Sequence, residues 1–142
     1  MYTINDLAMM TGLTTRTLRN YLKLGVLNGE KLDGSWRFTD EEIEAFFADA
    51  GVKQSMRANR HAVIYDFLAD TSKKANRACV ILDFAVTDEE GREISAFFCG
   101  KINRDGADIT FSCGRDRGLS RVILSGSEDS VADILRAYYG ER

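Results

Sequence analysis

Leu18 and Leu22 lie one helical turn apart in the run Thr14-Thr15-Arg16-Thr17-Leu18-Arg19-Asn20-Tyr21-Leu22-Lys23-Leu24-Gly25-Val26-Leu27, and that spacing fits a short amphipathic helix. The helix buries the two leucines and presents Arg16, Arg19 and several hydroxyls, an apolar anchor beneath hydrogen-bonding side chains. A reader of the DNA major groove needs that arrangement.

The flanking residues place this helix in a unit. Thr3, with Asp6 three residues on, caps a first helix whose inward stripe is Ile4, Leu7, Ala8 and Met10 or Thr11. Gly12 closes it as a left-handed C-cap, Leu13 tucks back, and Thr14 or Thr15 caps the second helix. Helix, glycine turn and helix have the spacing of a helix-turn-helix, although an ordinary helical hairpin has the same short pattern. Gly25 ends the second helix. Asp33-Gly34 then predicts a two-residue turn with positive φ at both positions, joining two short strands with Trp36 and Phe38 on one side and Arg37 on the other. Thr39-Asp40-Glu41-Glu42 is a second capping box, opening a helix that buries Ile43, Phe46 and Phe47.

These residues, in this order, resemble the winged helix-turn-helix of MerR-type regulators. They also resemble the excisionase-type DNA-binding domain, above all at Ser35-Trp36-Arg37-Phe38-Thr39 and Glu44-Ala45-Phe46-Phe47. The likeness covers roughly residues 2 to 50. It implies sequence-directed binding of double-stranded DNA, with Thr15, Arg16 and Arg19 at the groove and Tyr21 and Arg37 near the phosphates. The full candidate set is Thr14, Thr15, Arg16, Arg19, Asn20 and Tyr21 on the helix, with Lys31, Ser35 and Arg37 in the hairpin. Asn20 stands where MerR-type members usually carry the first of two aromatic residues. Those regulators also continue into a long coiled-coil helix, whereas here Gly51-Val52-Lys53-Gln54 reads as a break before a helix from about Ser55 to Asp70 without sustained heptads.

From Arg77 the apolar period becomes two. Ala78, Val80, Leu82, Phe84 and Val86 predict one strand, and Ile94, Ala96, Phe98, Gly100 and Ile102 predict its return after an acidic turn at Asp88-Glu89-Glu90-Gly91. Asn103-Arg104-Asp105-Gly106 turns into a third strand, Ile109 to Cys113, and a fourth follows from Ser120 to Ser125. A final helix carries Val131, Ile134, Leu135 and Tyr138 on one face. The expected fold is α+β: an N-terminal winged helix-turn-helix (1–52), a linker helix (53–74), and a four-stranded antiparallel sheet with a packed terminal helix (75–142). The opposite sheet face, with Ile81, Ala85, Phe97 and Cys99, needs a cover.

Charge and chemistry bound the function. The net charge of −3 disfavours a uniformly DNA-coating surface, but the acids of the first sixty residues cluster mostly between Asp40 and Asp49, which leaves room for a basic face. One histidine and three widely spaced cysteines, Cys79, Cys99 and Cys113, supply neither a catalytic triad nor a zinc set, and each cysteine reads as a small core hydrophobe. Gly114-Arg115-Asp116-Arg117-Gly118 reads as a solvated hairpin tip with a local ion pair in preference to an anion site. No enzyme activity, cofactor or metal is expected. Neither a signal peptide nor a bilayer-length apolar stretch is present, so a cytoplasmic protein without membrane contact is expected. A single recognition helix reads few base pairs, which predicts a homodimer, and the C-terminal lobe is assigned to dimerisation or to an unidentified small-molecule effector. The alternatives are an excisionase-like architectural factor and a protein-interaction module on a winged-helix scaffold.

Overall fold

In the computed structural model, which describes residues 1–105, 108–116 and 118–140, the chain forms two compact units, Met1–Asn59 and Arg60–Arg142. The first contains α1 (Ile4–Thr11), α2 (Thr15–Leu24), β1 (Glu30–Leu32), β2 (Ser35–Arg37) and α3 (Asp40–Ala48). Its ends are set by the local signals. Thr3 and Asp6 form a reciprocal capping box on α1, Thr14 accepts from the Thr17 amide at the start of α2, and Thr39 and Glu42 repeat the box on α3. Gly12 adopts φ 74°, where a side chain would be strained, and its amide closes the last turn of α1 on the Ala8 carbonyl. The β1–β2 turn has φ 52° at Asp33 and 81° at Gly34, the double positive φ that the dipeptide predicts. A single antiparallel bridge from Tyr2 to Phe38 adds the N-terminus to this small hairpin.

Leu7, Leu18, Leu27, Phe38, Ile43, Phe46, Val52 and Met56 form the core of this unit. Val52 and Met56 belong to α4 (Ala50–Ala69), which corrects the expected break at Gly51 to Gln54. Asp49 resolves the discrepancy. Its own amide ends α3 on the Phe46 carbonyl, while its carboxylate accepts from the Val52 amide (3.0 Å) and starts α4 at once. One residue caps both helices, so no loop is needed. The division between the units falls inside α4.

The second unit overturns the four-stranded meander. It contains β3 (Arg77–Phe84), α5 (Asp88–Asp105), β4 (Ile109–Asp116), β5 (Leu119–Ser127) and α6 (Glu128–Gly140), and the strands form a three-stranded antiparallel sheet in the order β3-β5-β4. The stretch from Ile94 to Ile102 is helix, and the acids Asp88, Glu89 and Glu90 are its first turn. Thr87 is the reason at the entry: its hydroxyl accepts from the Glu90 amide (3.2 Å) and donates to the Glu90 carboxylate (3.0 Å). Burial is the reason beyond it. Gly91, Ile94, Phe98, Cys99 and Ile102 are buried together, a helical stripe, so Cys99 lies among the helix's core residues and neither it nor Phe97 stands on a sheet face. The expected turn residue Gly106 lies outside the described residues.

Sheet register places Ala78, Val80, Leu82 and Phe84 beside Gly126, Leu124, Val122 and Ser120 on one face, as the alternation of β3 predicts. On that face Phe98 of α5 stacks against Phe111 and Tyr138, with ring centroids 6.1 and 5.1 Å apart, and Phe84 meets Tyr138 edge-on at 5.8 Å. Helices α5 and α6 cover it. On the reverse face Ile123 is buried while Ile81 is 46% exposed. The buried Arg60 guanidinium donates to the Cys113 carbonyl and lies where a Cβ on Gly114 would stand. No described helix is long and apolar enough to cross a membrane.

Candidate nucleic-acid interface

The site begins with α2 and its anchoring. Leu18 is fully buried, Tyr21 and Leu22 are half-buried, and the Tyr21 ring meets Phe46 edge-on at 5.5 Å. Those contacts hold one side of the helix to the core. The other side carries Arg16, Arg19, Asn20 and Lys23, all exposed and spaced i, i+3, i+4 and i+7, so they project as one strip. Among the described residues, Arg16, Arg19 and Lys23 take part in no ion pair. Their charge is turned to solvent.

The remaining helix candidates divide by role. The Thr14 hydroxyl is occupied at the start of α2, accepting from the Thr17 amide (3.1 Å) and donating to the Thr17 hydroxyl (3.0 Å). Thr15 is half-buried at the first helical position. Tyr21 is primarily a packing residue, whose carbonyl also accepts from the Val26 and Leu27 amides beyond the helix end. Lys23 lies outside the candidate set read from the sequence, although its spacing of seven from Arg16 marks it as sharing that face.

In the hairpin the register separates residues that the sequence groups together. Lys31 is the cross-strand partner of Trp36, and its ammonium lies 5.6 Å from the centre of the indole ring, on the side where Trp36 stacks on buried Phe38. Ser35 and Arg37 are on the opposite side, with Leu32 and Glu30 as their respective partners. The Arg37 guanidinium donates to the Trp36 carbonyl (3.0 Å), which fixes its base and leaves further N–H groups. Glu30 beside it reduces the local positive potential, a feature visible only once the register is known.

In the second unit three arginines are held by groups of their own chain. Arg121 makes a two-pronged pair with Asp83 across the sheet (2.7 and 2.8 Å), and this bond holds the Asp83 carboxyl below the usual carboxylate range. Arg77 pairs with Asp108 at 2.7 Å. Arg115 pairs with Asp88, donates to the Val86 carbonyl and to the Ser120 hydroxyl (2.6 Å), and thereby ties β4 to the start of α5. Arg115 is thus a strap inside the fold, which corrects the expected solvated tip with a local ion pair: its carboxylate partner is Asp88, far away in the sequence; Arg117 lies outside the described residues. Burial pushes the Cys79 and Cys113 thiols up, which disfavours the thiolate that nucleophilic or metal chemistry needs. Among the described residues no three His, Cys, Asp or Glu side chains converge as metal ligands would.

Two capped helices joined by a glycine turn, followed by a β-hairpin and a third helix, with one exposed cationic strip on the second helix, define a helix-turn-helix domain of the DNA-binding class. Residues 2–46, about a third of the chain, match the family model of MerR HTH family regulatory proteins, and the N-terminal domain is of that type. No curated protein and no solved structure matches the chain.

Proposed function

We propose that the protein is a transcriptional regulator that binds double-stranded DNA through its N-terminal unit. In this reading α2 enters the major groove, Arg16, Arg19 and Asn20 reach base edges, and Lys23 meets the backbone. The hairpin acts as a wing, bringing Ser35 and Arg37 to the phosphates, while Lys31 on the other face steadies Trp36. The observation that carries the reading is the strip itself, a cationic face that makes no ion pair among the described residues, opposite a fully buried leucine on the second helix of a MerR-type domain. Arginine offers bidentate donors to guanine, and asparagine offers a donor and an acceptor to adenine. The role is binding without catalysis, in the cytoplasm, and a homodimer supplies the second half-site that specificity requires.

A titration of the protein against a randomised duplex library at two salt concentrations tests this. The reading expects enrichment of a two-fold related site and affinity that falls as salt rises. Arg37→Ala should weaken all sequences alike and lower the salt slope by about 1, because it removes one phosphate contact. Binding that is neither selective nor salt-dependent contradicts the proposal.

A further inference from the structure

The sheet of the second unit has two edges, and they differ. The Ser127 amide donates to the Asp108 carbonyl (3.3 Å), so Ile109, Phe111, Cys113 and Arg115 turn their backbone groups away from β5 along the outer edge of β4. There the Arg60 guanidinium occupies the Cys113 carbonyl (3.4 Å), and the edge is obstructed.

The β3 edge is arranged otherwise. The Glu128 amide donates to the Asn76 carbonyl (3.1 Å), so alternate residues from Asn76 turn toward β5, and Arg77, Cys79, Ile81 and Asp83 turn their N–H and C=O groups outward. Among the described residues nothing hydrogen-bonds those outward groups. The strand is eight residues long, and Ile81 at its middle is 46% exposed, an open template for another strand.

Its sequence is complementary to itself. Laid antiparallel against a second β3 about a two-fold axis at Val80, Arg77 of each copy stands opposite Asp83 of the other and Cys79 stands opposite Ile81. These are the outward-facing residues, the ones an antiparallel ladder must bond, so backbone and charge select the same register. Each already pairs within its own chain, Arg77 with Asp108 and Asp83 with Arg121, and both retain access to solvent, 36% for Arg77 and 35% for Asp83, so the cross-copy pairs extend these to four-charge clusters.

We propose that β3 is the dimerisation element, pairing with β3 of a second copy into one continuous six-stranded sheet. The interface is isologous, as a two-fold dimer requires, and it uses strand addition. It deepens the regulator reading by supplying the second recognition helix, but the pairing itself rests on the geometry of the sheet.

The test is sedimentation of the full chain, with far-UV circular dichroism as the check on folding. The wild-type protein should sediment at twice the 15.9 kDa of one chain. Ile81→Lys places a charge on the edge and should weaken association by about tenfold or more while the helix and strand signal is kept. Should that variant unfold, Cys79→Ser combined with Val80→Cys gives a second reading. The two-fold axis brings the introduced thiols into a non-hydrogen-bonded pair, with Cα atoms about 4.5 Å apart, and mild oxidation should link the copies. A wild-type monomer at every concentration, a folded Ile81→Lys dimer of unchanged strength, or a dimer that Val80→Cys cannot link would each overturn the assignment. The DNA reading fails separately: Arg16→Ala should keep the dimer mass, and monomeric Ile81→Lys should keep salt-sensitive binding to random duplex.

Discussion

The tetrapeptide Thr-Asp-Glu-Glu occurs at Thr39 and again at Thr87, once in each unit, and both copies start a helix in the same way. The helices they open share an apolar spacing, but only the second also carries a strand-like alternation. After Thr39 the apolar residues fall at Ile43, Phe46 and Phe47, a spacing only a helix satisfies. After Thr87 the same spacing recurs at Ile94, Phe97 and Phe98, but Ile94, Phe98 and Ile102 stand in steps of four, which satisfy a period of two as well as a turn of helix. Ala96 and Gly100 complete the false alternation. The cap is the more reliable sign, because it reports hydrogen bonds made by neighbouring residues, whereas an apolar run that fits both periods leaves the choice open.

The units also use their cations differently. Arg16, Arg19 and Lys23 face solvent in the first, while Arg77, Arg115 and Arg121 in the second bind their own chain's carboxylates. A surface charge with no internal partner is available to phosphate and base edges. A paired one holds strands together.

The largest expected effect tests whether α5 is as much a core element as α3. Phe46→Ala and Phe98→Ala each remove a fully buried ring, and each should cost about 3–5 kcal/mol, read as a shift in the denaturant midpoint. A mild effect at Phe98 alone would mean that α5 does not complete the second core.

Next in size are the two caps. Thr39→Ala and Thr87→Ala should each cost about 0.5–2 kcal/mol, measured by thermal or urea unfolding. A neutral Thr87→Ala would break the equivalence of the two tetrapeptides and favour a turn at that position.

The smallest effect concerns pH. The Arg121 pair lowers the Asp83 pKa in the folded state, so its contribution is present above the unfolded carboxylate value of about 4 and is lost as pH falls through the folded value. Asp83→Asn should therefore be less stable than wild type at neutral pH, by about 0.2–1 kcal/mol for so exposed a pair, and the two should converge under acid. A difference that grows on acidification would mean the pair is not the source.

Much of the first unit is legible in the sequence because its signals are local. Thr3, Gly12, Thr14, Gly25, Asp33-Gly34 and Thr39 each fix a helix end or a turn within a few residues. Asp49 shows the limit of that kind of reading. Gly51 suggests a break, but the Asp49 carboxylate accepts from the Val52 amide, one of those that a new helix start exposes. In the second unit the strand order and the contacts of Arg60 and Arg115 join residues far apart in sequence, and periodicity carries no record of them. The site divides in the same way. The spacing of Arg16, Arg19 and Asn20 announces their shared face, whereas the separation of Lys31 from Arg37, and the carboxylate of Glu30 beside Arg37, emerge only from the hairpin register.

The most direct measurement compares two arginines on one duplex selected from the library. Arg16→Ala should lose about 1–3 kcal/mol of binding there with its unfolding midpoint unchanged. Arg121→Ala should keep its DNA affinity and lose stability instead. Equal affinities for Arg16→Ala and wild type, or equal binding losses in both variants, would contradict the assignment of α2 as the DNA-reading helix.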